Sequence, residues 1–359
     1  MSTDDVATSA RPRAATSAGS LLTAELARLR HRRLVAVLLL LGLAGLLAAL
    51  AAVFFTHDRD VAAARATAQT EYERQVRDQT AFAQQCRTDP AVPESEKETA
   101  CPPSKVDPSL TPEAFYRDPR LRADQGLPAI AIGVAVAGAL LMGLVAATAV
   151  GADWSSRAIV TLLTWQPRRL RFLATRFAAI GILAVLVGVV GQALGLGLGA
   201  LIVATRGTFE ASAIAGFGDG APPAFGAGGH LWRDLLLLQG RGVLLMVLAA
   251  VVAAAIATIT RSTGGFLGVA LGWFVVVELA GQGLLASVSP GLAQWTLTQN
   301  VAALLTPGGS TIFTGERAVN GVVGPQTMHL SNLDGAWHLG ALALLVTVLA
   351  GVTLRRRDL

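Results

Sequence analysis

The sequence predicts an all-α, polytopic membrane protein with six transmembrane helices and an extracellular insertion after the first of them. Apolar residues make up 53% of the 359 residues and charged residues only 15%, whereas about 25% of the residues in a soluble domain are charged. Six apolar runs are long enough to cross a hydrocarbon core of about 30 Å. Each run must be helical, because lipid cannot satisfy a backbone amide. The runs are residues 34–56, 127–150, 177–204, 242–260, 266–288 and 336–354.

The placement of arginine predicts the orientation of these runs. Fifteen arginines lie on the side that both termini share, including five in the connector 151–176 and three in the tail 355–359. The two short loops on the opposite side are 205–241 and 289–335. Only three arginines lie within residues 205–233 and 289–335. Because Lys and Arg are retained in the cytoplasm, both termini are expected there, in a bacterial cytoplasmic membrane. The net charge of +5 therefore reflects topology and gives no reason to expect nucleic-acid binding, which needs a contiguous basic face.

The residues before the first run divide into two parts. Residues 1–19 are rich in Ser, Thr and Ala without an apolar period, which predicts a disordered tail. Within residues 20–33, Leu22, Leu26 and Leu29 recur at helical spacing. This spacing predicts an amphipathic helix on the inner membrane surface, with its arginines facing lipid headgroups. An extension of the first transmembrane helix is an equally supported alternative.

The insertion, residues 57–126, combines a predicted helix with an irregular segment. Residues 58–87 lack Pro and Gly and should be helical, whereas residues 88–112 are rich in proline and should be irregular. The only cysteines, Cys86 and Cys101, both lie here. On the oxidising side of the membrane they predict a disulfide, with two free thiols as the alternative. With few aromatic residues, the insertion is expected to be a cap rather than an independent enzyme domain.

Sequence motifs give no sign of catalysis. A Walker A loop needs a lysine directly after glycine, but Lys97 and Lys105 are the only lysines and neither follows one. Hydrolase and metal-binding signatures are also absent from the sequence, so neither a bound metal nor a cofactor is expected. The third run carries Gly188, Gly191, Gly195 and Gly199. Their spacing allows close approach of another helix, from the same subunit or from a second copy.

Glu278 lies inside the fifth apolar run, well away from either end of it. An ionisable residue within a transmembrane segment is a candidate functional residue, since its charge must be satisfied there. Its predicted partner is Arg241, at the outer end of the fourth run. Proton coupling, substrate contact and a structural ion pair all remain open for Glu278.

The connector 151–176 interrupts the apolar pattern with two tryptophans, a proline and five arginines. A helical period places Trp154, Leu162 and Trp165 on one face and Arg157 and Arg168 on another. Pro167 then ends the helix. This pattern suits either a short surface helix that contacts a cytoplasmic partner or an ordinary positively charged connector, and the residues alone favour neither.

A resemblance to a known family favours the first interpretation. Asp153, Ser155 and Ser156, followed by "TLLTWQPRR", resemble the first cytoplasmic loop of type 2 exporter permeases of the ATP-binding-cassette (ABC) transporter superfamily. The opening "LLTAELARLRHRR" and the stretch "RSTGGFLGVALGWFVVVEL" are also similar to that family, as is the six-span layout. The chain departs from the family in three ways. It has Asp153 where Glu is usual, Arg157–Ala158 where Gly-Thr is usual, and an insertion that is long for the family.

This resemblance implies a permease subunit that pairs with a second copy or a sibling and docks cytoplasmic ABC ATPase subunits. ATP and Mg²⁺ would be bound by those partners. Residues 154–166 would form the coupling helix, and the expected contact residues are Asp153, Trp154, Arg157, Leu162, Trp165, Pro167, Arg168 and Arg169. Two other hypotheses stay open: a membrane-anchored sensor or assembly factor that acts through the 57–126 ectodomain, and an ion- or proton-coupled carrier that depends on Glu278. The sequence does not identify the transported substrate.

Overall fold

The computed structural model describes most of the chain, namely residues 18–91, 93, 97–102, 110–156, 158, 169–209, 225, 229–281, 290–319 and 322–356. The elements in chain order are α1 (Ala18–Arg30), α2 (Arg33–Thr56), α3 (Val61–Thr88), α4 (Lys97–Ala100), α5 (Pro112–Phe115), β1 (Leu121–Arg122), α6 (Ala123–Ser155), α7 (Arg169–Arg206), β2 (Gly207–Thr208), α8 (Leu231–Thr260), α9 (Thr263–Trp273) with a π-helical continuation (Phe274–Ala280), a 3₁₀ turn (Pro290–Trp295), α10 (Leu297–Leu305), β3 (Ser310–Val319), β4 (Val322–Leu330) and α11 (Asn332–Arg356).

Six of the described helices are long and apolar enough to cross a membrane: α2, α6, α7, α8, α9 with its π-helical continuation, and α11. The prediction of a helical multi-pass membrane protein is therefore confirmed. The helices extend beyond the apolar runs; α8, for example, begins at Leu231 rather than at 242. This difference has a simple cause: backbone hydrogen bonding continues through polar residues at a helix end, where hydropathy no longer marks it. Residues 282–289 of the fifth predicted run lie outside the described residues.

The chain divides into two compact units. The first contains residues 1–46, 131–194 and 215–359, and the second contains residues 47–130 and 195–214. The core of the first unit is built largely from alanines that have almost no exposed surface, including Ala135, Ala146, Ala250 and Ala254. Such small side chains let helix backbones approach closely, which favours helix association in lipid.

Two of the glycines in the third apolar run pack against other helices of this chain. In the first unit, Gly188 lies against Met246 and Val243 of α8. In the second unit, a side chain at Gly199 would meet Ile130 of α6 at 3.0 Å. These neighbours fit the first of the two uses that the glycine spacing allows.

α1 is a separate helix rather than an extension of the first transmembrane helix. It ends at Arg30, and α2 begins at Arg33 after a short break. Leu29 is buried, and Leu22 and Leu26 pack against the core of the first unit. The leucine stripe of the sequence therefore faces protein.

The second unit contains most of the insertion. α3 spans Val61–Thr88, close to the predicted 58–87, and the side chain of Asp60 caps its first turn. Cys86 and Cys101 form the predicted disulfide. Near the start of α6, β1 pairs with β2 in parallel. Just before β1, hydrogen bonds from Arg120 hold the pKa of Asp118 below its ordinary value.

The segment predicted as a loop at 289–335 contains regular structure. α10 occupies Leu297–Leu305, and β3 and β4 form an antiparallel hairpin with an irregularity between Phe313 and Gly315. The prediction of a loop at 289–335 is corrected to this extent, while the described structure is predominantly helical as predicted. Gly308 and Gly309 lead into the hairpin with φ values of 72° and 105°, a conformation that residues with a Cβ rarely adopt. The hairpin was not predicted, because the interpretation of the sequence followed the apolar runs and the hairpin lies between the fifth and the sixth of them.

Candidate functional site

Asp153 lies in the last turn of α6 and is buried, with 5% of its surface exposed. Its two carboxylate oxygens accept hydrogen bonds from Nη2 of Arg32 and Nη2 of Arg176, respectively. Both arginines also donate to the backbone carbonyl of Ala149, at 2.6 Å and 2.7 Å. Residues 149 and 153 are one helical turn apart, so this carbonyl and this carboxylate lie on the same face of α6.

The three charged residues join three separate parts of the first unit. Arg32 lies in the break between α1 and α2, Asp153 lies in the last turn of α6, and Arg176 lies near the start of α7. The side chains of Asp153 and Arg176 are only 7% and 6% exposed, while that of Arg32 is 20% exposed. Arg32 was expected to face lipid headgroups, and this expectation was wrong. Its guanidinium binds the buried carboxylate of Asp153, and this charge-assisted hydrogen bond is stronger than a contact with a hydrated headgroup.

Trp154, the residue after Asp153, attaches α6 to the turn between α8 and α9. The guanidinium of Arg261 lies 4.9 Å from the centre of its indole ring, within the range of a cation–π interaction. Arg261 has a φ of 57°, a left-handed conformation in which it ends α8. The side chain of Ser262 then caps the first turn of α9.

Arg169 attaches the start of α7 to the end of α11. Its Nη1 donates a hydrogen bond of 3.2 Å to the backbone carbonyl of Leu354. A cation at this position is favourable, because the last carbonyls of a helix lack intrahelical partners and carry partial negative charge.

Together these contacts define what we call the basic end of the first unit: Arg32, Asp153, Trp154, Arg169, Arg176 and Arg261. The residues on both sides of the segment 157–168 are thereby fixed to neighbouring helices. Between the first turn of α2 and the last turns of α6, the basic end also has a groove of about 360 Å³.

The structure brings together only some of the residues predicted to contact a partner. Asp153, Trp154 and Arg169 lie at the basic end, and all three contact neighbouring parts of this chain. The structure assigns Trp154 to α6, whereas the sequence placed it on a separate helix 154–166. Arg157, Leu162, Trp165, Pro167 and Arg168 lie outside the described residues.

The sequence did not single out Arg32 or Arg176 as partners of Asp153. They are 121 and 23 residues away from it along the chain, and no spacing rule connects them. The only signal was indirect: an acidic residue stood among many arginines at a helix end.

Glu278 has partners other than the predicted one. Its Oε1 accepts hydrogen bonds from the backbone N–H of Leu297 at 2.7 Å and the indole N–H of Trp273 at 3.2 Å. Its Oε2 accepts from the backbone N–H and the hydroxyl of Thr298 at 3.1 Å and 2.6 Å. Glu278 and Arg241, which are both described, do not form the predicted ion pair.

The reason for this difference is the position of α10. The first backbone N–H groups of a helix have no intrahelical partner and carry partial positive charge, so they stabilise a carboxylate without a basic side chain. Leu297 and Thr298 are the first two residues of α10. Glu278 therefore caps α10.

The described part of the chain has no group of three or more His, Cys, Asp or Glu side chains that could hold a metal ion. No protein-family model matches the chain, and no curated protein matches it in sequence.

Proposed function

We propose that the chain is the permease subunit of an ABC exporter and that the connector between α6 and α7 docks a separate cytoplasmic ATPase. The observation that carries this proposal is that the residues on both sides of the segment 157–168 are bound to neighbouring helices. Asp153 and Trp154 on one side and Arg169 and Arg176 on the other all bind neighbouring helices. Buried ionic contacts at the connector would let it pass a displacement to the helices on both sides.

The contacts suit the transmission of a displacement. A buried ion pair is costly to break, about 3–5 kcal/mol when one partner is removed. A force applied to the connector would therefore move α6 and α7 as one body before it separated Asp153 from Arg176. Through Arg32 and Arg261 the same force would reach α2 and the turn between α8 and α9. This is a two-state mechanism in which ATP binding at a partner biases the permease.

The lengths of α6 and α7 agree with this role. They contain 33 and 38 residues, which corresponds to about 50 Å and 57 Å at 1.5 Å per residue. A hydrocarbon core of about 30 Å accounts for only part of either length. A part of each helix would therefore project beyond the lipid, where a partner could reach it.

In this proposal the basic end faces the cytoplasm of a bacterial cell, and both termini lie on that side. The insertion with Cys86 and Cys101 then lies outside, where a disulfide is stable. The permease pairs with a second copy or a sibling in the lipid bilayer. ATP and Mg²⁺ are bound by the ATPase, and the chain itself is not an enzyme.

The proposal is tested by affinity purification of the full chain from its native membrane in a mild detergent. We expect an ATPase with a Walker A motif to copurify, and ATP hydrolysis to be measurable in the purified complex. A chain that purifies intact and folded without any ATPase would favour the alternative function, a sensor or assembly factor acting through the insertion.

A further inference from the structure

Glu278 stands out among its neighbours because it is the only buried residue of the π-helical segment Phe274–Ala280. It is 5% exposed, whereas the apolar residues beside it, Phe274, Val275 and Val276, are 51%, 46% and 66% exposed. Apolar side chains that point outward suit lipid. The charged side chain points inward to the first turn of α10.

α10 is firmly attached to α11. Nδ2 of Asn332 donates hydrogen bonds to the carbonyls of Ala303 and Thr306, at 2.7 Å and 2.6 Å. A Cβ at Gly335 would lie only 2.6 Å from the backbone oxygen of Asn300, so the two backbones are in direct contact. Ala303, Leu304 and Leu305 are buried. Close packing and hydrogen bonds thus join α10 to the first turn of α11.

The attachment of α10 to the fifth transmembrane helix is of a different kind. Only 6% of the residues in the most apolar stretch of that helix are buried, against 50% of those in the corresponding stretch of α8. Apolar packing therefore contributes little along its length. What reaches α10 is the carboxylate of Glu278, which binds the N–H groups of Leu297 and Thr298 and the Thr298 hydroxyl.

We infer that Glu278 is a latch, through which the fifth transmembrane helix holds α10 and can release it while α10 stays on α11. Release would require water at this contact, because water must then satisfy both the carboxylate of Glu278 and the donors on α10, which are backbone N–H groups and a hydroxyl as at ordinary helix ends. Separating Asp153 from Arg176 would instead leave a buried cation without its anion. The position of Glu278 within a π-helical segment fits this role, because such segments are frequently found at functional sites.

The latch is independent of ATPase docking, and its first test does not depend on that proposal. The experiment measures amide hydrogen exchange in the purified full chain, wild type and Glu278→Ala, in lipid nanodiscs. Exchange at Leu297 and Thr298 should become roughly tenfold faster or more, because hydrogen bonds to a charged group are lost. Exchange in α8 and α11 should stay at the wild-type rate.

Three further variants separate the contacts. Glu278→Gln keeps the size of the side chain and should give faster exchange at the same two amides. Thr298→Val removes only the hydroxyl contact and should have a smaller effect. Asn332→Ala is the matched control: it removes the hydrogen bonds from Asn332 to α10 and should loosen the other end of α10, near Thr306, while the packing at Gly335 remains.

Two results would overturn the latch. Unchanged exchange at Leu297 and Thr298 in both Glu278 variants would show that the carboxylate does not hold α10. Faster exchange throughout α8 and α11 would show that Glu278 is a structural residue of the whole unit, since the contact could not then be lost locally.

A second measurement tests whether release matters for the proposed function, and it rests on that function. The pair Glu278→Cys and Thr298→Cys replaces the latch with two thiols that a short bis-methanethiosulfonate reagent can join reversibly, and the two native cysteines are already paired. Cross-linking should lower the ATP hydrolysis of the copurified complex several-fold, and reduction should restore it, with the wild type treated identically. Full activity of the cross-linked complex would show that release is not needed.

Discussion

Asp153 and Arg176 form a buried ion pair that joins the end of α6 to the start of α7. The same carboxylate also binds Arg32, so one anion holds two cations from different parts of the chain. Without the Asp153 carboxylate, Arg32 and Arg176 would keep only the backbone carbonyl of Ala149 as an acceptor at this site. This relationship makes the basic end sensitive to one residue.

Asp153→Ala should destabilise the protein by about 3–5 kcal/mol, because it leaves a buried arginine unpaired. Arg32→Ala should cost less, since Asp153 keeps Arg176. Arg77→Ala is the control: Arg77 pairs with Glu73 one turn away and both side chains are more than half exposed, so its loss should cost under about 0.5 kcal/mol. Thermal unfolding of the three variants in detergent measures the order. Equal effects of Asp153→Ala and Arg77→Ala would contradict the ionic account.

Trp154 and Arg261 should be energetically coupled. A double-mutant cycle with Trp154→Ala and Arg261→Gly should give a coupling free energy of about 0.5–2 kcal/mol, the range of a cation–π interaction. The single change Arg261→Gly should be mild, because glycine relieves a left-handed conformation that costs other residues about 1–2 kcal/mol. Strictly additive effects in unfolding measurements would mean that the two residues are only neighbours.

Two glycines in α11 test the packing of α10. Gly335→Ala should destabilise the protein by about 1–3 kcal/mol, because the added methyl group would meet the backbone of α10. Gly340 is the control on the same helix, since a Cβ there has no described neighbour within 4 Å. Gly340→Ala should be neutral or slightly stabilising, as alanine favours a helix. Thermal stability of both variants in detergent decides the matter, and the opposite order would contradict the observed contact.

The disulfide gives a test of orientation. A maleimide that cannot cross membranes should label Cys86 and Cys101 on intact cells only after an equally impermeant reductant has been added. Reduction should also lower stability by about 3 kcal/mol, the value expected for a cross-link that closes a loop of 15 residues. Labelling without reductant would show that the thiols are free, and labelling only after cell lysis would place the insertion on the other side.

The sequence predicted those features that depend on local composition. Apolar runs located the six helices, and the absence of Pro and Gly located α3. The spacing of Leu22, Leu26 and Leu29 located α1. The positions of the helix ends were less accurate, because Arg33 and Asn332 are polar and yet helical. Hydropathy reports burial in lipid, whereas a helix continues as long as its backbone hydrogen bonds do.

The partners of the charged residues could not be predicted, for a physical reason. Glu278 was assigned to Arg241 because opposite charges attract, but two of its four donors are backbone N–H groups of a helix that begins 19 residues later. Every residue except proline has a backbone N–H group, so the sequence carries no signal for which of them will lie free at a helix end beside a given carboxylate. For Asp153 the resemblance marked the acidic position, and only tertiary packing identified Arg32 and Arg176.

ATPase docking is tested most directly by the amount of ATPase that copurifies with Leu162→Glu. A charge on the apolar face of the connector would be desolvated in a docking groove without a partner, a penalty of several kcal/mol. The control is Arg356→Gln, an exposed residue at the end of α11. Our account predicts that both variants insert in the membrane and form the Cys86–Cys101 disulfide, and that Leu162→Glu alone loses the ATPase. Copurification of the ATPase with Leu162→Glu at the wild-type level would contradict the account.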